Sequence, residues 1–219
     1  MSIRRFTGSC CLLAALVLSA DHNLHAKAIW HSLKELAQQA DVIVKAKVES
    51  IETSETSEEL WGFITHIKIA TANVERVFKG NVKQKEKVRF IASPTWTCDN
   101  STAIEGETVV LFLEQVKRER KKEDGDFGRF WKALFSIWGE DREILYQIVG
   151  SGQGRMEYGL VEGKPMIRLQ TRPDSYEDPP VVTVKESQEL YGKQAPIDVM
   201  YLDENELARS VGSFRKFFL

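Results

Sequence analysis

Residues 40–49 read Ala40-Asp41-Val42-Ile43-Val44-Lys45-Ala46-Lys47-Val48-Glu49. Val42, Val44, Ala46 and Val48 fall at every second position, opposite Lys45, Lys47 and Glu49, which is the pattern of a half-buried strand. Just upstream the period differs. Ile29, Leu33, Leu36, Ala37 and Ala40 recur at helical spacing, and Ser32 with Glu35 has the form of a capping box. The chain therefore enters its first strand from a short amphipathic helix.

Working outward, Thr53 to Gly62 is an acidic connection carrying Glu55, Glu58, Glu59 and Trp61. A second strand shows Phe63, Thr65, Ile67 and Ile69 on one face, but the apolar phase has shifted by Val74 to Phe78. A bulge or bend, as small curved barrels require, accounts for that shift. Lys79-Gly80-Asn81 ends it in a turn. A third strand is predicted at about Lys87 to Ala92. Val109 to Leu113 is apolar on both faces, as a central strand is, and Ile144 to Val149 is the fifth.

Gly150 to Gly154 breaks the chain. Arg155 to Val161 and Met166 to Leu169 then form a hairpin across Glu162-Gly163-Lys164-Pro165. Arg172 to Pro180, with Pro173, Pro179 and Pro180, reads as a linker or arm. Asp203 caps a final helix whose stripe is Leu207, Val211, Phe214 and Phe218. The expected fold is mainly β: a small five-stranded OB-like barrel over 27–169 with a short N-terminal helix and a hairpin. An aromatic helical insertion at 117–143 separates strands 4 and 5, and 170–219 is read as a linker and C-terminal helical tail.

The stretch Ala40 to Lys47, then Val77-Phe78-Lys79-Gly80, Ser93-Pro94 ahead of Cys98, and Gly106-Glu107 before the fourth strand follow one another in a familiar order. Over about residues 32–113 this resembles the netrin-like modules, the OB-fold barrels of tissue inhibitors of metalloproteinases. The resemblance implies the barrel. Family inhibitors start with a cysteine that chelates the protease zinc and is disulfide-bonded to the loop matching Cys98. Here the processed chain is expected to start near Lys27 without a cysteine, so family-type zinc chelation is not expected.

That expectation rests on residues 1–26, which have the three parts of a secretory signal. Arg4 and Arg5 form a basic start, Leu12 to Leu18 an apolar run, and Ala20 and Ala26 offer small residues for cleavage. The run is far below the roughly 20 residues of a spanning helix. An exported protein, periplasmic or secreted, is expected. Cleavage would leave one cysteine, Cys98, and two histidines, His31 and His66, so stability must come from packing rather than from an internal disulfide. Over its 219 residues the chain is 42% hydrophobic and 28% charged, which excludes wholesale disorder. A net charge of −2 gives no reason to expect nucleic acid as a partner.

The chemistry-bearing residues are few. Cys98 could act as a nucleophile only with a nearby base, and no cysteine-protease signature surrounds it, so it reads as a free thiol. Two histidines and one cysteine without HExxH or CxxC spacing do not make a metal site, and no cofactor is expected. His66 falls among outward-facing strand positions. Gly150-Ser151-Gly152-Gln153-Gly154 is followed by strand-like alternation, so it reads as a turn rather than a phosphate loop. Asn100-Ser101-Thr102 matches a glycosylation sequon.

The most informative segment is Lys117 to Glu143. After a basic start that includes Lys121 and Lys122, Phe127, Phe130, Trp131, Leu134, Phe135 and Trp138 fall on one helical stripe. That stripe either docks on the barrel or faces a partner or a membrane surface. OB barrels bind through the loops joining strands 1–2 and 4–5. The expected function is a non-enzymatic binding or interaction module for a protein or envelope component. Its partner surface would comprise Trp61, Phe127, Phe130, Trp131, Trp138, Lys121 and Lys122. An envelope-associated structural protein making peripheral membrane contact through the insertion is the second reading, and a Cys98-dependent enzyme the third.

Overall fold

The structure is a computed structural model that describes residues 31–54, 58–60, 63–94, 99, 101–117, 125–138, 144–169, 181–190 and 193–215. Helix α1 (Leu33–Gln39) starts at the expected capping box. Ser32 Oγ accepts from the Glu35 amide at 3.2 Å, and the Glu35 carboxylate accepts from the Ser32 amide at 2.7 Å. There follow β1 (Val42–Thr53), the short strands β2 (Glu58–Leu60) and β3 (Phe63–Thr65), β4 (Lys68–Lys79), β5 (Lys87–Ile91) and β6 (Thr108–Gln115). Next come helix α2 (Gly125–Trp138), β7 (Leu145–Ile148), β8 (Arg155–Val161), β9 (Lys164–Arg168), β10 (Val182–Leu190), β11 (Lys193–Leu202) and helix α3 (Glu204–Arg215).

Strands β1, β4, β5, β7 and β6 pair in that order, and β6 returns to β1 to close a five-stranded barrel. The β5–β7 pair is parallel and the other barrel pairs are antiparallel. The fold is OB-like, as the sequence predicts. Val42, Val44, Ala46 and Val48 point into the barrel with Ala70, Ala72, Val74, Val88, Phe90, Val109, Leu111 and Leu113. The two-sided apolar run in β6 is explained by its place. Val109, Leu111 and Leu113 fill the barrel, while Val110 and Phe112 face a second core beneath α1 and α3.

The phase shift in the second barrel strand has two causes. Register between β1 and β4 slips at three places, leaving Glu75 and Phe78 unopposed on β4 and Glu49 on β1. Such bulges bend and twist a strand, as closing a small barrel demands. The segment is also not one strand. Ser54 Oγ accepts the Ile67 amide at 3.0 Å, and β4 begins only at Lys68, so Phe63 to Thr65 pairs with β2 in a separate two-stranded sheet.

The Lys79-Gly80 turn joins barrel and helix. Lys79 Nζ donates to the carbonyls of Ala37 and Ala40, where α1 ends and the helix dipole favours a cation. Gly80 adopts φ +100°, and a Cβ there would lie 2.8 Å from the Asp41 carbonyl oxygen. A glycine is required because the backbone approaches the start of β1 so closely.

Beyond the barrel the sheet continues. Strand β8 pairs with β6 over Val109 to Leu111, and the order runs on through β9 and β11 to β10. The β8–β9 turn is tighter than the sequence suggests: Glu162 and Gly163 have φ of +51° and +76°, and Pro165 already stands opposite Leu160. Strands β10 and β11 occupy part of the region read as linker and helical tail. Their alternation is weak because much of the ribbon is exposed on both faces. Pro196 sits in β11, where only β10 pairs with it, since β9 meets β11 at Tyr201 and Leu202. The linker at 172–180 lies outside the described residues.

Candidate functional site

Period two also fixes what the barrel shows to solvent. In β5, Val88 and Phe90 point inward, so Lys87 and Arg89 point outward. Their neighbours across β4 are Asn73 and Thr71, by register. On β1, beyond β4, stand Glu49 and Glu52. The outer wall is therefore striped: carboxylates with Lys47 on β1, an amide and a hydroxyl on β4, cations on β5. Lys87 Nζ lies 2.9 Å from Glu49, and Asn73 Nδ2 donates to the same carboxylate at 3.2 Å. Arg89 Nη2 donates to Glu52 Oε2 at 3.0 Å. The Lys87 ammonium holds the Glu49 carboxyl below its ordinary range.

Beside this wall lies a cleft of about 620 Å³, within the usual size of ligand sites. It opens where β5 and β7 pair only at Arg89–Leu145 and Phe90–Tyr146. Glu52, Thr71, Lys87, Arg89, Trp138, Ile144 and Tyr146 are among the residues that line it. The Arg89 side chain is 17% exposed, so its guanidinium is held rather than loose. Burial pushes the Tyr146 phenol up, and the charges of Glu86 and Asp41 add to the shift. The phenol therefore stays protonated and can both donate and accept a hydrogen bond.

Of the residues named from the sequence, Trp61, Lys121, Lys122 and Cys98 lie outside the described residues, as does Asn100. Phe127 belongs to α2, but its side chain is outside them too. Phe130, Trp131 and Trp138 are brought together on α2 and are buried against Ile67, Ile69, Ile91 and Leu145. Phe130 and Trp131 meet edge to face at 5.3 Å, and Trp138 stacks on Phe135 at 5.5 Å. Of the two fates the sequence allows for this stripe, these three rings take docking on the barrel. Trp138 also borders the cleft. Helix α2, in the strand 4–5 connection, packs against β2, in the strand 1–2 connection.

Glu52, Thr71, Lys87, Arg89 and Tyr146 were not singled out by sequence. The alternation Lys87-Val88-Arg89-Phe90 carried the signal for the two cations, but it could not say which strands would lie alongside.

Other candidate groups serve the scaffold. His66 is exposed, and its Nδ1 lies 2.9 Å from the Ser54 carbonyl oxygen. The glycine-rich segment 150–154 is a turn leading into β8, and Gly150 (φ +64°) packs where a Cβ would meet Leu36 of α1 at 2.6 Å. Arg155, 5% exposed, bonds to Glu107 and Glu157. Burial works against its charge, but those bonds outweigh burial and raise its pKa.

A second charged cluster lies on another part of the wall. Lys45 and Arg76 stand directly opposite each other on β1 and β4, an unfavourable like-charge pair. Glu204, in the first turn of α3, bridges them at 3.1 and 2.9 Å, and the Tyr158 hydroxyl donates to it at 3.0 Å. Lys45 Nζ also lies 4.8 Å from the centre of the Tyr158 ring. Burial acts to raise the Glu204 carboxyl, but Arg76, Lys45 and Tyr158 hold it below its ordinary value. The cluster fastens α3 to the barrel. No family model, no curated protein and no solved structure matches this chain.

Proposed function

We propose that this is an exported, non-enzymatic binding module that takes its ligand on the barrel wall beside the strand 4–5 insertion. The observation that carries the reading is the cleft, where a striped wall of carboxylates and cations meets the end of α2. It lies on the side of an OB barrel used for recognition, flanked by the strand 4–5 connection. Its charged groups are paired with one another, an arrangement suited to binding. Export rests on the sequence pattern of residues 1–26. The netrin-like resemblance is proposed for the barrel segment on the order of its residues, without the family's zinc-chelating terminus.

The test is retention from an extract of the native compartment on the immobilised protein and on a Thr71→Arg variant, which fills the cleft. A ligand held by the first and lost by the second is expected. Identical retention on both would remove the cleft from the function. N-terminal sequencing of the exported protein should begin near Lys27; a chain still starting at Met1 would end the export reading.

A further inference from the structure

We infer that the cleft ligand is a neutral, polyhydroxylated chain, of the chemical class of an oligosaccharide. This rests on the reading of the cleft as the binding site and names what it takes.

The charge pattern excludes the competing classes in turn. Glu52 pairs with Arg89 at 3.0 Å and Glu49 with Lys87 at 2.9 Å, so both cations that line the cleft already face an anion. Glu86 adds a further carboxylate to the lining. A polyphosphate backbone gains affinity by meeting unneutralised cations, and here it would meet carboxylates too. A folded partner or apolar peptide needs a buried hydrophobic anchor seated in a pocket. Trp138 and Tyr146, 4% and 6% exposed, present only edges, and the one large apolar side chain of the lining that is exposed is Ile144, at 50%.

What remains is a surface of alternating donors and acceptors. A sugar hydroxyl is both donor and acceptor. A carboxylate beside a guanidinium can accept from one hydroxyl while the guanidinium donates to its neighbour. Glu52 with Arg89 supplies that pair, Thr71 stands between their strands, and the neutral Tyr146 phenol adds a group of either sense. The Arg89 side chain, 17% exposed, is in place before binding, which lowers the ordering cost. The open cleft of about 620 Å³ suits a short chain laid along it.

The experiment is amide and indole chemical-shift mapping of the full chain against four probes: maltohexaose, chitohexaose, decathymidylate and a lysine-rich decapeptide. A neutral hexasaccharide should give saturable shifts at the Trp138 indole and around Arg89. Its affinity should change less than about twofold on raising salt roughly tenfold, because no counterions are released. Thr71→Arg should abolish the shifts, and Arg89→Gln and Glu52→Gln should each weaken binding about tenfold. Cleft shifts produced by decathymidylate or the peptide and not by either sugar would overturn the inference. Silence of both sugars, with an extract component still lost on Thr71→Arg, would overturn it too and leave the binding-module reading standing. Silence together with no cleft-dependent retention would overturn both.

Discussion

Helices α2 and α3 are both fastened to the outside of one barrel, α2 by apolar packing and α3 by apolar packing with an ionic clamp at its first turn. Helix α2 buries Phe130, Trp131, Leu134 and Trp138 against Ile67, Ile69, Ile91 and Leu145. Helix α3 buries Leu207 and Val211, and its first turn is fixed by Glu204 between Lys45, Arg76 and Tyr158. Apolar docking does not respond to pH, whereas a carboxylate wedged between cations does. The difference teaches that attachment here can be conditional at one helix and fixed at the other.

The largest effect should come from breaking the apolar side. Trp131→Ala removes a ring that is 2% exposed and should cost about 3–5 kcal/mol in chemical denaturation. A loss under about 1 kcal/mol would mean that α2 does not depend on this face.

At α3 the expected effect is smaller and depends on pH. Glu204→Gln leaves Lys45 and Arg76 facing each other and should cost about 1–2 kcal/mol at neutral pH, since the site is partly solvated. The folded Glu204 carboxyl lies below its ordinary 4.5, so its contribution is complete above that value. It is lost as pH falls through the lower folded value. Hydrogen exchange should therefore show α3 amides losing protection in acid before those of α2, and Glu204→Gln should remove that difference. Equal acid sensitivity of both helices in the native chain would dissolve the contrast.

The smallest effect sharpens the comparison with a third attachment. Ser32→Ala deletes one side of the α1 capping box and should cost about 1 kcal/mol by thermal or chemical melting. It should leave the exchange of α2 unchanged, because α2 buries its face in a separate cluster from α1.

The barrel was legible because its signals are local. Alternation in β1, two-sided burial in β6 and the Ser32–Glu35 cap each lie within a few residues. The turn at Lys79-Gly80 was legible as a turn, but its purpose was not. Lys79 closes carbonyls some forty positions earlier in the chain, and Gly80 is required by the approach of Asp41. Strands β10 and β11 leave little mark in the sequence because an exposed ribbon has little apolar alternation to read. The aromatic stripe of α2 was plain as a stripe, while the choice between core and partner face depended on what lay opposite.

The candidate site divides in the same way. Sequence marked the insertion that borders it and supplied Trp138, yet the wall of Glu49, Glu52, Thr71, Asn73, Lys87 and Arg89 appears only when β1, β4 and β5 are laid side by side. Each strand taken alone reads as a solvated face. Their charges acquire meaning from register, which is a relation between segments.

By itself the sequence determined the periods of its segments, the cap of α1 and the class of the fold. Tertiary structure alone decided which faces meet: the barrel's closure between β6 and β1, the burial of Trp131, the bridging of Lys45 and Arg76 by Glu204, and the cleft beside β5. The physical reason is range. Propensity, capping and alternation act over one or two turns of chain, whereas packing and ion pairing join residues whose separation in sequence carries no local signal.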